Sequence, residues 1–123
     1  FRREDINKLL KEIQASNVGG ILGTKLKDTV KNVENSKDIK ATIDREHLWI
    51  AQTPQIFRYG LLKKAMQFAF DNALMPTDEA QAIEHHGEKV KIIEGFAGNI
   101  KITESLDLKL AEMILSLRGV SCV

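Results

Sequence analysis

The apolar positions change period along the chain, and each change marks an element. Over 4–15, Ile6, Leu9, Leu10 and Ile13 fall at i, i+3, i+4 and i+7, which predicts an amphipathic helix ended by Asn17. Residues 18–26 follow as a strand opened by Gly19-Gly20; the adjacent Ile21 and Leu22 predict burial on both faces. Across 29–44 the pattern shifts. Val30 and Val33 precede a polar turn, Asn35-Ser36-Lys37-Asp38, and Ile39, Ala41 and Ile43 then alternate with polar neighbours. That pattern predicts a long hairpin, an arm. A two-stranded ribbon is marginally stable alone, so the arm needs a surface to lie on, and a partner subunit is the natural one.

Residues 47–53 read as a further strand, stopped by Pro54. A helix is predicted over 57–74, where Leu61, Leu62, Ala65, Met66, Phe68, Ala69, Phe70 and Ala73 are spread widely enough to imply burial on more than one side. Pro76-Thr77-Asp78-Glu79 predicts a helix start with Thr77 as N-cap, and Gly87 ends that helix. Residues 90–94 form a strand, Gly95 and Gly98 punctuate a loop, and 99–103 form a second strand. The last helix, 105–118, is expected to bury Leu106, Leu110, Met113, Ile114 and Leu117. Strands alternating with helices predict an α/β sheet, and the shortage of elements predicts a truncated one.

Composition narrows the class. A chain of 123 residues with 43% hydrophobic content suits one domain with a modest core. Eighteen basic residues against seventeen acidic ones leave a charge of +1, which argues against a nucleic-acid surface. No apolar run approaches the roughly 20 residues of a membrane span. The opening Phe1-Arg2-Arg3-Glu4-Asp5 lacks Met and no signal-peptide core follows it, so a lost N-terminal part is expected. The single cysteine, Cys122, has no internal disulfide partner and reads as an incidental thiol in a reducing, cytoplasmic protein.

The chain has no P-loop, no GxGxxG and no CxxC. Adjacent His85 and His86 would point about 100° apart on a helix, so a polar helix end explains them better than a metal site. A second group is basic residues beside small hydroxyls at element ends: Lys27-Asp28-Thr29 and Arg45 at the base of the arm, Thr53 at a strand end, Thr77, and Lys101 after the glycine loop. Phosphate recognition uses that mixture of guanidinium, ammonium and hydroxyl. Solvated surface groups use it too, and composition alone leaves both readings open.

Longer phrases carry a resemblance. Gly-Gly-Ile-Leu-Gly-Thr-Lys-Leu-Lys-Asp-Thr (19–29), Ile-Asp-Arg (43–45), Leu-Trp-Ile-Ala-Gln-Thr-Pro-Gln-Ile-Phe (48–57), Thr-Asp-Glu-Ala (77–80) and Asn-Ile-Lys-Ile-Thr (99–103), in this order and spacing, resemble the 2-C-methyl-D-erythritol 4-phosphate cytidylyltransferases of non-mevalonate isoprenoid synthesis. The resemblance covers essentially all of 1–123 and implies the C-terminal part of one Rossmann-like nucleotidyltransferase α/β/α domain, with 29–44 as a dimerisation arm. It implies a homodimer acting on CTP and methylerythritol phosphate, with Mg²⁺ held mainly through CTP and an N-terminal part missing here. Arg45 from one subunit and Lys101 from the other match residues on the methylerythritol phosphate. Thr29 matches an arm threonine that reaches the same substrate, Asp28 stands beside it, and Thr53 and Thr77 match positions lining the polyol pocket. Gly98 departs from the family, where an acidic residue is common. The family's glycine-rich CTP loop is absent, so the chain by itself is expected to be inert. Two alternatives remain: another polyol-phosphate or sugar-phosphate nucleotidyltransferase, or a non-catalytic dimerisation module.

Overall fold

The computed structural model describes residues 1–117 and Gly119; Cys122 and the end of the last predicted helix lie outside the described residues. The order is α1 (Arg3–Ser16), β1 (Gly19–Lys25), β2 (Val30–Val33), β3 (Ile39–Ile43), β4 (Trp49–Phe57), α2 (Tyr59–Asp71), α3 (Glu79–His85), β5 (Lys91–Glu94) and α4 (Ser105–Leu117). Asn17 ends α1 in a left-handed conformation, its N–H bonded to Ile13 O. β1 is the centre of a mixed sheet ordered β4-β1-β5, antiparallel to β4 and parallel to β5. Its apolar run explains that place, for 19–23 are all buried. Gly19 has a φ of +132°, and a Cβ there would run into the backbone of Ile56 and Phe57, so only glycine lets the two strands meet at this point.

α1 packs on β1. Leu9 and Leu22 are fully buried, and each contributes about 1.5–3 kcal/mol by leaving water. A second cluster joins α2 to α3 through Ala65, Ala82 and Ile83, with Val18, Phe57 and Val90 half-buried against it from the strand ends. The alanines let these two helices approach closely. The arm forms as expected: β2 and β3 pair antiparallel in a sheet of their own. Val33 is 53% exposed and Ile39 62% exposed, while Val30 and Ile43 at its base are half-buried, so the outer part of the arm lies open in the single chain.

Several expectations are corrected. The strand over 47–53 does not stop at Pro54, because β4 runs on to Phe57. The ladder shifts between Ile21 and Leu22, whose partners are Gln55 and Gln52, so Thr53 and Pro54 drop out of the pairing. The missing proline N–H therefore costs no ladder bond. No strand forms over 99–103. At its two ends side chains take backbone groups, Gln52 at Asn99 O and Asp107 at the Thr103 N–H, and Ile102 is 54% exposed, so the alternation there is not that of a buried face. The N-cap of α3 is Asp78, one residue after Thr77, which donates its own N–H to Gln81 Oε1.

The predicted helix 57–74 is shorter, since Phe57 still belongs to β4. It buries one face, Ala65 and Ala69, and leaves Met66, Phe68 and Phe70 exposed. α4 buries none of its residues: Ile114 is half-buried beside Gly98, while Leu106, Leu110, Met113 and Leu117 stay exposed. Both helices carry more apolar surface than the described residues cover. No helix among the described residues is long and apolar enough to cross a membrane.

Candidate functional site

The irregularity in β4 builds the site. It leaves Thr53 and Pro54 out of the ladder between two glutamines, and each glutamine fastens a different segment. Gln52 Nε2 donates to Phe96 O at 3.0 Å and to Asn99 O at 3.1 Å. Asn99 Nδ2 donates back to Thr53 O. Gln55 Nε2 donates to Asp78 Oδ2 at 2.9 Å, and Gln55 Oε1 accepts the Ala80 N–H at 3.1 Å. Asp78 Oδ1 then accepts the Gln81 N–H at 2.8 Å, capping α3. The end of β4 is thus tied to the 95–101 loop on one side and to the start of α3 on the other.

Between these ties lies a cleft of about 480 Å³ lined by Gln52, Thr53, Asn99 and Lys101. A second hollow of about 330 Å³ adds Thr77 and Glu79, and the two share Thr53, Gln55, Asp78 and Lys101. Lys101 stands on irregular chain held at both ends. In front are the Gln52 and Asn99 bonds. Behind, the Asp107 carboxylate accepts the Thr103 N–H, the Thr103 hydroxyl and the Glu104 N–H, each at 2.9 Å. Those bonds, led by the Thr103 and Glu104 N–H groups, lower the Asp107 pKa from its ordinary value. Among the described residues no carboxylate or carbonyl pairs with the Lys101 ammonium. An exposed, unpaired cation beside the Thr53 and Thr77 hydroxyls suits an anionic ligand.

The loop is braced from α1 as well. The Arg2 guanidinium lies over the Phe96 ring, 4.9 Å from its centroid, and Lys8 Nζ donates to Glu94 O at 3.1 Å. Arg2 is held in turn by Asp5, which is completely buried: Nη2 meets Oδ1 at 3.0 Å, and both Nε and the backbone N–H meet Oδ2 at 3.1 Å. The side-chain bond from Arg2 lowers the Asp5 pKa against the opposing effect of burial, aided by the Arg2 N–H and the Arg2 and Lys8 charges. Gly95 closes the packing, because a Cβ there would stand 2.5 Å from Gln52 Oε1 and 3.2 Å from Leu22 Cβ.

The residues singled out from the sequence divide into two groups. Thr53, Thr77 and Lys101 come together around the cleft. Asp28, Thr29 and Arg45 do not line it; they sit at the base of the arm. There the Leu26 N–H donates to Leu48 O at 3.0 Å, and the Arg45 guanidinium donates to Lys27 O. Arg45 forms no ion pair with Asp44 or Glu46 among the described residues. Sequence reasoning read Asp78 only as part of a helix start and assigned no site role to Gln52, Gln55 or Asn99. The available signal was two glutamines flanking Thr53-Pro54, long amides in a strand that buries part of its length. His86 stacks edge-on against Phe68 with centroids 5.8 Å apart, and among the described residues no cluster of three or more acidic, histidine or cysteine side chains could hold a metal ion.

A family model for 2-C-methyl-D-erythritol 4-phosphate cytidylyltransferase matches residues 1–117. The chain belongs to this family. The cytidylyltransferase of Azoarcus sp. (strain BH72) is 44% identical over 113 residues, covering 92% of this chain and 46% of the relative. That of Acinetobacter baumannii (strain SDF) is 46% identical over 112 residues, covering 91% of this chain and 47% of the relative. The crystal structure of the Francisella tularensis cytidylyltransferase superposes with a TM-score of 0.82 at 36% identity, over 91% of this chain and 52% of that one. The chain thus spans about half the length of the curated cytidylyltransferases it matches. The likeness carries the fold class: a mixed α/β, Rossmann-like sheet.

Proposed function

We propose that this chain is the phosphate-gripping, C-terminal part of a cytidylyltransferase that acts on CTP and 2-C-methyl-D-erythritol 4-phosphate. A phosphate oxygen of the polyol phosphate attacks the α-phosphorus of CTP, the bond from that phosphorus to the β-phosphate bridge breaks, and pyrophosphate leaves. The product is 4-diphosphocytidyl-2-C-methylerythritol, made for the non-mevalonate isoprenoid pathway. The observation that carries this reading is the unpaired Lys101 ammonium in a cleft shared with Thr53 and Thr77, in a chain of this family.

In this reading Lys101 neutralises the polyol phosphate and holds it in line, while the hydroxyls of Thr53 and Thr77 contact the polyol. Two anions repel each other, and fixed cations offset that repulsion while setting geometry. Arg45, with Asp28 and Thr29, completes the site of the opposite subunit of a homodimer. Among the described residues no cluster of three or more acidic, histidine or cysteine side chains could hold a metal ion by itself; Mg²⁺ would be held mainly through CTP and the N-terminal part of the enzyme, where it would offset phosphate charge. The chain spans about half the length of its curated relatives, and in this reading the glycine-rich CTP loop belongs to the other half, so that the 123 residues alone are expected to be inert.

The test is pyrophosphate release by the full-length protein from CTP with methylerythritol phosphate, against ribitol phosphate and sugar phosphates as competitors. Lys101→Ala is expected to lower kcat/KM by about 10- to 150-fold, the loss of one charge-assisted contact of about 1.5–3 kcal/mol. The unfolding midpoint should stay unchanged. A well-folded Lys101→Ala enzyme with near-normal kcat/KM would defeat the assignment, and preference for another polyol phosphate would redirect the substrate.

A further inference from the structure

We infer that Gln52 is a positioning residue, whose side-chain amide pins the loop before Lys101 and so sets where the ammonium stands in the cleft. The inference rests on the reading of Lys101 given above. Among the described residues no strand ladder holds 95–101 beyond the Gly95 N–H bond to Gly23 O at 2.9 Å. From Phe96 to Asn99 the loop is held by one turn bond of its own, by the Asn99 side chain on Thr53 O, and by Gln52. Gln52 spends both amide hydrogens on it, at Phe96 O and Asn99 O. A turn bond from the Asn99 N–H to Phe96 O, at 2.9 Å, brings those two carbonyls within reach of one amide.

Three further observations say that this amide is placed and not incidental. Gln52 lies at the shift in the β1–β4 pairing, where the strand can turn a long side chain towards the loop. Gly95 leaves room for it, since any larger residue would strike Gln52 Oε1. The Arg2 guanidinium lies over the Phe96 ring, so the loop is held from α1 as well as from β4. Lys101 follows Asn99 by two residues and borders the same cleft as Gln52. A loosened loop would therefore leave the cation in place chemically but spread over many positions. Misplacement of a reacting partner by about 1 Å costs on the order of 100-fold in rate.

The experiment uses the full-length protein and the variant Gln52→Met, which keeps length and loses both donors. Gln52→Asn, with the donors on a shorter stem, serves if the Met variant folds poorly. Hydrogen exchange should quicken in 96–101 and stay unchanged in β1, with the unfolding midpoint retained. Turnover should fall by about 10- to 100-fold, with KM for CTP unmoved. Added to Lys101→Ala, the substitution should cost nothing further, because a tether acts only through the residue it places. Unchanged exchange in 96–101 overturns the tether whatever the activity. An equal loss of turnover in the Lys101→Ala background overturns positioning and leaves a general structural role. If the loop loosens but Lys101→Ala keeps full activity, the failure is in the role of Lys101, and the inference falls with it.

Discussion

Single side chains hold this site together by satisfying groups that regular structure leaves open. Gln52, Gln55, Asp78 and Asp107 each close two or more bonds at places where a ladder or helix has ended. Asp5 does the same under the loop, and its burial makes the consequence measurable. Its folded pKa lies below the ordinary value of 3.8, so the carboxylate stabilises the fold above that value, and the benefit is lost as pH falls through the depressed folded value. Replacing it by Asn leaves Arg2 and Lys8 without their anion. Asp5→Asn in the full-length protein should be less stable than the parent at pH 7, with the gap narrowing below about pH 4. Urea midpoints across that range check it; a gap that stays constant down to pH 2 would remove the electrostatic explanation.

Elements differ in how much of their support is local. α3 has seven residues and needs its cap, so Asp78→Ala should cost about 0.5–2 kcal/mol in urea unfolding. A cost near zero would mean that Gln55 and Thr77 hold the helix start without it. The arm is the opposite case, a ribbon whose outer apolar residues stay largely uncovered among the described residues. Among the described residues β2 and β3 pair only with each other, and Val33 and Ile39 are more than half exposed. The arm therefore looks outward for its burial. Ile39→Asp with Ile43→Asp in the full-length protein should give a monomer by light scattering, whereas shortening the turn around Asn35 and Asp38 should not. A full dimer from the double variant would take the arm out of the interface.

At the scale of the whole molecule, the two halves of the expected phosphate site sit apart. Lys101 borders the cleft, and Arg45 stands at the root of the arm, outside its lining. Strands of four and five residues reach roughly 15 Å at about 3.3 Å per residue, enough to cross a subunit boundary and bring the arm's base to a partner's cleft. Mixing the impaired full-length Arg45→Ala and Lys101→Ala proteins should then raise activity above that of either alone, because one site of each heterodimer carries both lesions and the other carries none. If Arg45 serves its own subunit, every site carries one lesion and the mixture stays impaired. Demonstrated subunit exchange without recovered activity would sink the assignment in trans.

Local periodicity and turn chemistry were enough for α1, β1, the arm and β5, because each follows from neighbours a few residues apart. Phrases such as Gln-Thr-Pro-Gln and Asn-Ile-Lys-Ile-Thr carried the family and named Thr53 and Lys101. What they could not carry was pairing at a distance. Whether Pro54 ends a strand depends on how β1 skips two residues opposite it. Whether 99–103 is a strand depends on whether a partner edge is available, and side chains of Gln52 and Asp107 take its backbone groups first. Likewise the apolar faces of α2 and α4 predict burial, but a helix is buried only where another element covers it. The sequence by itself determined α1, β1, the arm and β5 and the family they belong to, because local periodicity and short phrases carry both; only the tertiary structure decided where β4 ends, that 99–103 stays irregular, and that Gln52, distant in sequence from Lys101, bonds the loop on which that lysine stands.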